Sequence, residues 1–375
     1  MRSVAHLLSE DSGRDFLADR GIFADPAEFV RRLQVPGDPA LTRALGLARR
    51  YPVYVCQQTQ IDYPNSVASK FRATLALGEH AEVTPLSLWM DTDHAKTAVS
   101  TIAFTSRTGE FRTRVVSNRV RNAETRFLTV DKDRVAAALT EVGNWLGAQP
   151  RTLARLARLK ESVAAPSVRT LAEVNLALSS VVLGEHLGFA PRSTLVSTVI
   201  GAGMFDPALD TVLNHIDEFV DVFNGKIAEL LAADIDPRVH PLPADYLPLH
   251  FACPKDGLRR RLAHQREGTE HLAVATCHCG TTYRFHLGTD RLSAAELVAT
   301  GRWSVDVCLP LFVDGLVSGA VVGRSSALYG LVLNEVARKV LGIEPVPLLV
   351  PADLPETVAL PEHPDSVLYD YLTAP

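Results

Sequence analysis

Cys253, Cys277 and Cys279 fall within 27 residues, beside the turn-forming Pro254, Gly257 and Gly280. Zinc takes four N, S or O ligands in a tetrahedron, and two tight turns that each carry a pair of ligands supply that set with little chain entropy to lose. Cys253-Pro254-Lys255-Asp256-Gly257 has the shape of a Cys-Pro-x-Cys-Gly knuckle with Asp256 in the second ligand place, and Cys277-His278-Cys279-Gly280 supplies the other knuckle. The fourth ligand is open among Asp256, His250, His264 and His278. A structural Zn²⁺ is the expectation, and the alternative is a set of buried cysteines without metal.

Asp91-Thr92-Asp93-His94 follows an apolar run, and two carboxylates with an imidazole suit Mg²⁺ binding, capture of a substrate amine, or proton transfer. The same residues also suit a solvated turn with Asp93 as a helix cap. A polar run from Cys56 to Ser66 carries Gln57, Gln58 and Asn65, with Lys70 one helical turn further on. Such a turn can face a nucleotide or a carboxylate, although it lacks the glycines that admit a phosphate closely, and Gln57 and Gln58 also suit a buried strand end. Gly323-Arg324-Ser325-Ser326 offers a glycine turn, a cation and a serine cap ahead of the last helix, equally apt for an anion and for plain capping. Arg259, Arg260, Arg261 and Arg266 form the one basic cluster; without interleaved aromatics it reads as a solvated hairpin before an RNA contact.

The elements that must position these groups follow from the wider pattern. The chain has 375 residues, 47% hydrophobic and 22% charged, enough for one large core or two ordinary ones and unlike a disordered chain. A net charge of -5 gives no overall pull toward nucleic acid or an anionic membrane. No apolar stretch reaches the length of a membrane span, and acids stand early in the first sixteen residues, so a cytoplasmic protein is expected. Five cysteines, an odd number with three clustered, fit metal binding better than a disulfide framework.

Residues 1–50 read as short helices, because Asp25-Pro26-Ala27-Glu28 and Asp38-Pro39 supply caps. Residues 51–130 read as the first half of an α/β core: a strand at 52–56, a helix at 66–77, a strand at 83–90 and a hairpin around Thr108-Gly109. A helical insertion spans 131–245, a zinc-ribbon-like module 246–290, and the core resumes over 291–375 with an apolar strand from Trp303 and a helix at 326–341 closed by Gly342. Ligands of such sheets sit at the carboxyl ends of parallel strands, which places Cys56, Met90 and Gly323 on one rim.

From Gly201 to Pro347 the order of features resembles class I lysyl-tRNA synthetases. Gly203-Met204-Phe205-Asp206 precedes a helix with Asp217-Glu218; the two knuckles follow; Gly301-Arg302-Trp303-Ser304-Val305-Asp306 is similar to a Trp-Arg-Val-Asp strand; Gly323-Arg324-Ser325-Ser326 stands where that family has Gly-Lys-Asp-His; and the segment 337–347 resembles its next helix and turn. The first half resembles a sister group, the cysteine-adding enzyme of bacillithiol biosynthesis, through Gln57, Gln58, Lys70, Trp89, Asp91, Asp93 and His94.

Both resemblances imply a Rossmann-like class I synthetase core of the nucleotidyltransferase type, with ATP and Mg²⁺ as cofactors. They imply catalytic Asp91, Asp93, His94 and Lys70, and cofactor contacts from Gln57, Gln58, Asn65, Gly323, Arg324, Ser325 and Ser326. Zinc would be held by Cys253, Cys277, Cys279 and Asp256. The chain departs from the pattern in two places. Of a His-x-Gly-His or His-x-Gly-Asn signature, only Asn65 of Asp62-Tyr63-Pro64-Asn65 matches, and residues 351–375 hold no Lys or Arg for a pyrophosphate loop. With no anticodon-binding domain either, the expectation is a stand-alone ligase that activates or condenses a small amino acid in a biosynthetic pathway, with tRNA not a partner. The alternatives are a catalytically silent relative that binds an amino acid, RNA or a partner, and amine or thiol chemistry at the zinc itself.

Overall fold

The computed structural model describes residues 1–94, 97–117, 122–306, 308–351 and 365–375. In chain order its strands are β1 (Ile22–Phe23), β2 (Tyr51–Gln58), β3 (Val83–Met90), β4 (Thr101–Thr105), β5 (Phe111–Val115), β6 (Arg192–Leu195), β7 (Tyr246–Ala252), β8 (Arg259–Glu267), β9 (Glu270–Thr276), β10 (Thr282–Gly288), β11 (Trp303–Val305), β12 (Gly319–Val321) and β13 (Leu348–Leu349).

Six of them form a wholly parallel sheet in the order β1, β13, β12, β2, β3, β6. Parallel strands are covered on both faces, so their residues are apolar on both. Tyr54, Leu86, Leu88, Ala320 and Leu348 enter one hydrophobic cluster, while Val53, Val55, Trp89, Val321 and Leu349 enter the other. Alternate side chains point to opposite faces, so the sheet is the wall between two cores.

Helix Asn65–Leu77 crosses from β2 to β3 as expected, and β4 and β5 form the hairpin at the expected turn, with Gly109 at φ 79. Helix Arg324–Val336 continues through 337–341 and stops at Gly342, whose φ of 64 is a left-handed cap. Four short helices open the chain, and Asp25 caps one of them by accepting from the Ala27 amide at 2.9 Å.

Three short strands depart from the expected pattern. Ile22–Phe23, inside the stretch read as helical, forms the edge of the parallel sheet beside Leu348–Leu349. Arg192–Leu195 emerges from the helical insertion to pair with β3. Trp303–Val305 was expected in the resumed core, yet pairs antiparallel with Leu249–Phe251 in a second sheet ordered β10, β9, β8, β7, β11. Each has two to four residues, too few to show a period, and each is recruited by a neighbour distant in sequence.

The segment after β3 meets the second sheet through Glu124, which is fully buried and forms an isolated bridge with His94. Its carboxylate accepts from Ser304 Oγ at 2.6 Å and from Arg126 Nε at 2.7 Å, while Arg126 also donates to the Trp303 carbonyl at 2.7 Å. Burial pushes this carboxyl upward and Arg126 pulls it back. Glu124→Gln keeps the shape and removes the charge, so a loss of about 2 kcal/mol is expected in a denaturant melt. An unchanged midpoint would mean that this junction does not hold the sheets. Among the described residues, no helix is long and apolar enough to cross a membrane.

Candidate active site and metal centre

A cavity of about 360 Å³ lies at the carboxyl ends of β2, β3 and β12, bringing Cys56, Met90 and Gly323 to one rim as expected. That size is at the lower end for small-molecule pockets, roughly 300 to 1,000 Å³, and suits a compact ligand. Its walls are largely apolar, and its ionisable side chains include the bases Lys70 and Arg259 and the acids Asp93, Asp306 and Asp314.

Lys70 enters from the crossover helix, and its Nζ donates to Gln57 Oε1 at 2.7 Å. Burial lowers its ammonium to about 8, opposed by nearby Cys56, whose own thiol burial pushes up to about 12. Arg259 reaches across from β8, donating to Asp93 Oδ1 at 3.2 Å and to the Thr92 carbonyl at 3.0 Å, with His94 Nδ1 also 3.2 Å away. The His94 amide and ring both meet Asp93 Oδ1, at 2.7 and 3.0 Å. Asp93, His94 and Arg259 therefore form one cluster, held from below by Gln58, whose Nε2 donates to the His94 carbonyl at 3.1 Å.

Across the cavity, Gly323 caps helix Arg324–Val336 without a side-chain hydrogen bond, leaving first-turn amides available to an anion. Ser326 lines the cavity, Ser325 is exposed, and the buried Arg324 Nε has no hydrogen-bond partner among the described residues.

Two expected site residues take other places. Asp91 is buried and accepts from the Ser197 amide at 3.0 Å and from Ser197 Oγ, tying the end of β3 to helix Val196–Gly201. Its carbonyl accepts from Thr125 Oγ1 at 2.9 Å. It ties down the turn that carries Asp93 and, although expected as a catalytic residue, is not among the residues that line the cavity. Asn65, expected at a nucleotide, instead faces the C-terminal segment: its amide donates to Asp365 at 2.6 Å and its Nδ2 to Asp370 at 3.3 Å. Beside it Asp62 accepts from Ser366 Oγ and, at 2.8 Å, from the Leu368 amide, and burial pushes its carboxyl up to about 6. Helix Val367–Thr373 thus seals the turn at residues 62–65.

Several cavity residues gave no sequence signal. Asp306 is anchored by Tyr246 OH at 3.1 Å and stands 3.8 Å from His250 Nδ1. Burial, and then Arg259, lowers His250 to about 4, so the ring is neutral near pH 7. Asp314 is buried, its Oδ1 lacks a hydrogen-bond partner among the described residues, and burial pushes it up to about 8. Tyr54 on β2, close to Asp314, and Tyr329 on helix Arg324–Val336 also line the cavity, with phenols raised by burial. The Trp-Arg-Val-Asp-like segment ending at Asp306 was the one hint, and it did not point to a cavity.

The cysteines do converge. Ligand atoms of Cys253, Asp256, Cys277 and Cys279 lie within 4.8 Å of one another and could hold a metal ion. Both turns are closed by glycines at positive φ: the Gly257 amide (φ 70) donates to the Cys253 carbonyl at 2.8 Å, and that of Gly280 (φ 80) to Cys277 at 3.0 Å. Cys253 and Cys279 sulfurs are 3.8 Å apart, the edge expected of a tetrahedron with Zn–S bonds of about 2.3 Å. Asp256 Oδ2 is 2.8 Å from Cys277 Sγ. Of the other candidate ligands, His264 stacks on and bonds to His271 at 2.9 Å, His250 faces Asp306, and His278 stands outside the cluster. Among the described residues no comparable ligand group includes Asp91, Asp93 and His94.

No family model matches the chain, and no curated protein matches it.

Proposed function

We propose that the protein is a stand-alone class I synthetase-like ligase that binds and activates or condenses a small amino acid without tRNA. The observation that carries this reading is the Arg259–Asp93 ion pair, set beside Lys70 in a small cavity at the carboxyl ends of parallel strands. Opposite charges 3.2 Å apart are complementary to a zwitterion: the ligand's carboxylate replaces Asp93 on Arg259, and its amine replaces Arg259 on Asp93. Lys70 and the helix start at Gly323 stabilise charge that develops on the carboxylate, His94 lies within reach of an amine proton, and Asp306 and Asp314 meet the rest of the ligand. Rate enhancement of this kind rests on positioning and fixed charge.

ATP with Mg²⁺, in this reading, would meet the free amides at 323–326 and Arg324, and would make the carboxyl reactive by supplying a leaving group. The clasp of Cys253, Asp256, Cys277 and Cys279 fits a structural zinc-ribbon-like Zn²⁺: three thiolates and a carboxylate close a tetrahedron, leaving no position open for substrate. That closure speaks against amine or thiol chemistry at the metal. A silent amino-acid-binding relative is the second reading, favoured by the C-terminal helix docked on residues 62–65.

Calorimetric titration with the twenty standard amino acids, paired with amino-acid-dependent pyrophosphate release, tests both. One amino acid is expected to bind, and Lys70→Met and Asp93→Asn are each expected to weaken it by about 2 kcal/mol, roughly thirtyfold, with unchanged folding. Binding without turnover would select the silent reading, and no binding at millimolar concentration would sink both. Total tRNA is expected to bind only at low salt; a complex that survives about 200 mM salt would return the protein to translation.

A further inference from the structure

The metal clasp and the cavity are joined by two neighbouring arginines. The turn that carries Cys253 and Asp256 is closed by the Cys253 amide on the Leu258 carbonyl at 3.0 Å, and β8 starts at the next residue. Successive side chains of a strand point to opposite faces. Arg259 accordingly enters the cavity to hold Asp93 and Thr92, whereas Arg260 turns to the clasp, where its positive charge lies against Cys277 and Asp256. Arg260 Nε and Nη2 are buried there without a hydrogen-bond partner among the described residues. Three thiolates and a carboxylate around a divalent ion leave two negative charges in excess, and a buried guanidinium is the group that offsets them.

We propose that the clasp is the positioning device of the amino-acid cavity: the bound metal fixes the turn at 253–258, Arg260 locks that turn to the clasp, and the fixed turn delivers Arg259 to Asp93. Metal occupancy and cavity order are then linked, and linkage is reciprocal. This rests on the cavity's role as the amino-acid site, but the linkage itself is measurable with no amino acid present. Arg259 meets the turn after β3 at the Thr92 carbonyl, the Asp93 carboxylate and the His94 ring; Ser197 on Asp91 and Gln58 on the His94 carbonyl hold the same turn from other sides, and Arg259 is the contact that ties it to the clasp.

Amide hydrogen exchange of the full chain, read over residues 89–94 with residues 83–88 as an internal control, is the test. Removing zinc with a chelator should speed exchange of 89–94 at least tenfold more than that of 83–88, which reports the loss of global stability. Arg259→Met should exchange fast over 89–94 with zinc bound, and zinc removal should then speed 89–94 no more than 83–88. Arg260→Met should exchange like the parent protein when saturated with zinc, while needing at least tenfold more free zinc to saturate, as read by competition with a chromophoric chelator. Should zinc removal speed 83–88 as much as 89–94, the zinc-loaded variants decide: fast exchange in Arg259→Met alone supports the linkage, and equal exchange in the two overturns it. Exchange of 89–94 indifferent to both zinc and Arg259 also overturns it, whatever the amino-acid titration shows.

Discussion

With Zn²⁺ in the clasp as proposed, Cys253→Ser is expected to strip it and to lower the unfolding free energy by at least about 5 kcal/mol, the largest single effect expected in this chain. Metal bound by a site that exists only in the folded state contributes its binding energy to folding, and structural zinc sites reach about 10 to 16 kcal/mol in small domains. Cys253 is fully buried at the end of β7, where Arg302 donates to the carbonyls of Ala252 and Cys253 at 2.6 and 3.1 Å. Loss of its thiolate frees two turns at once, because Cys277 and Cys279 then lack the partner that joins β7–β8 to β9–β10. Cys279 is exposed, so Cys279→Ser should weaken the metal with a smaller loss of stability. Elemental analysis and guanidinium melts at fixed free zinc measure both quantities. One zinc retained in Cys253→Ser, or a midpoint equal to the parent's, would show that the clasp carries no folding energy.

The second large effect depends on pH. The folded protein keeps a proton on Asp314 up to about pH 8, whereas an unfolded chain releases it near pH 3.9. Between those values the folded state binds more protons than the unfolded one, so stability falls as pH rises, by up to about 1.4 kcal/mol per unit, and levels off above pH 8. Asp314→Asn cannot ionise and removes this slope. From pH 5 to pH 8 the parent should lose on the order of 4 kcal/mol relative to the variant, which is then the more stable protein at pH 8. Comparing the pair cancels the other titrating groups. Parallel stability curves for the two proteins would mean that Asp314 is already ionised in the folded state.

Local signals carried much of the architecture. The strand Val83–Met90, the hairpin at Gly109, the cap at Asp25 and the helix stop at Gly342 were all legible because each depends on a few contiguous residues: an apolar run, a turn glycine, a side chain that reaches its own backbone. The cysteine cluster was legible for a related reason, since two short turns with ligands at fixed spacing leave few ways to arrange a tetrahedron. The choice of Asp256 among four candidate ligands was not. It depended on His264 finding His271 and on His250 turning toward Asp306, and neither partner is adjacent in sequence.

Only the tertiary structure decided what the charged residues face. Arg259 looked like one of four arginines on a solvated hairpin, and its partner Asp93 lies 166 residues away. Asn65 looked like a nucleotide ligand until residues 300 and more positions later closed over it. Asp314 and Tyr329 showed no pattern at all, because a lone acid or phenol in an apolar stretch reads the same whether it faces water or a cavity. Backbone preferences act over one turn of chain and can be read in order. Burial and ion pairing act through space, so which carboxylate is desolvated and which cation meets it is settled only when β2, β3, β8 and β12 have been brought together.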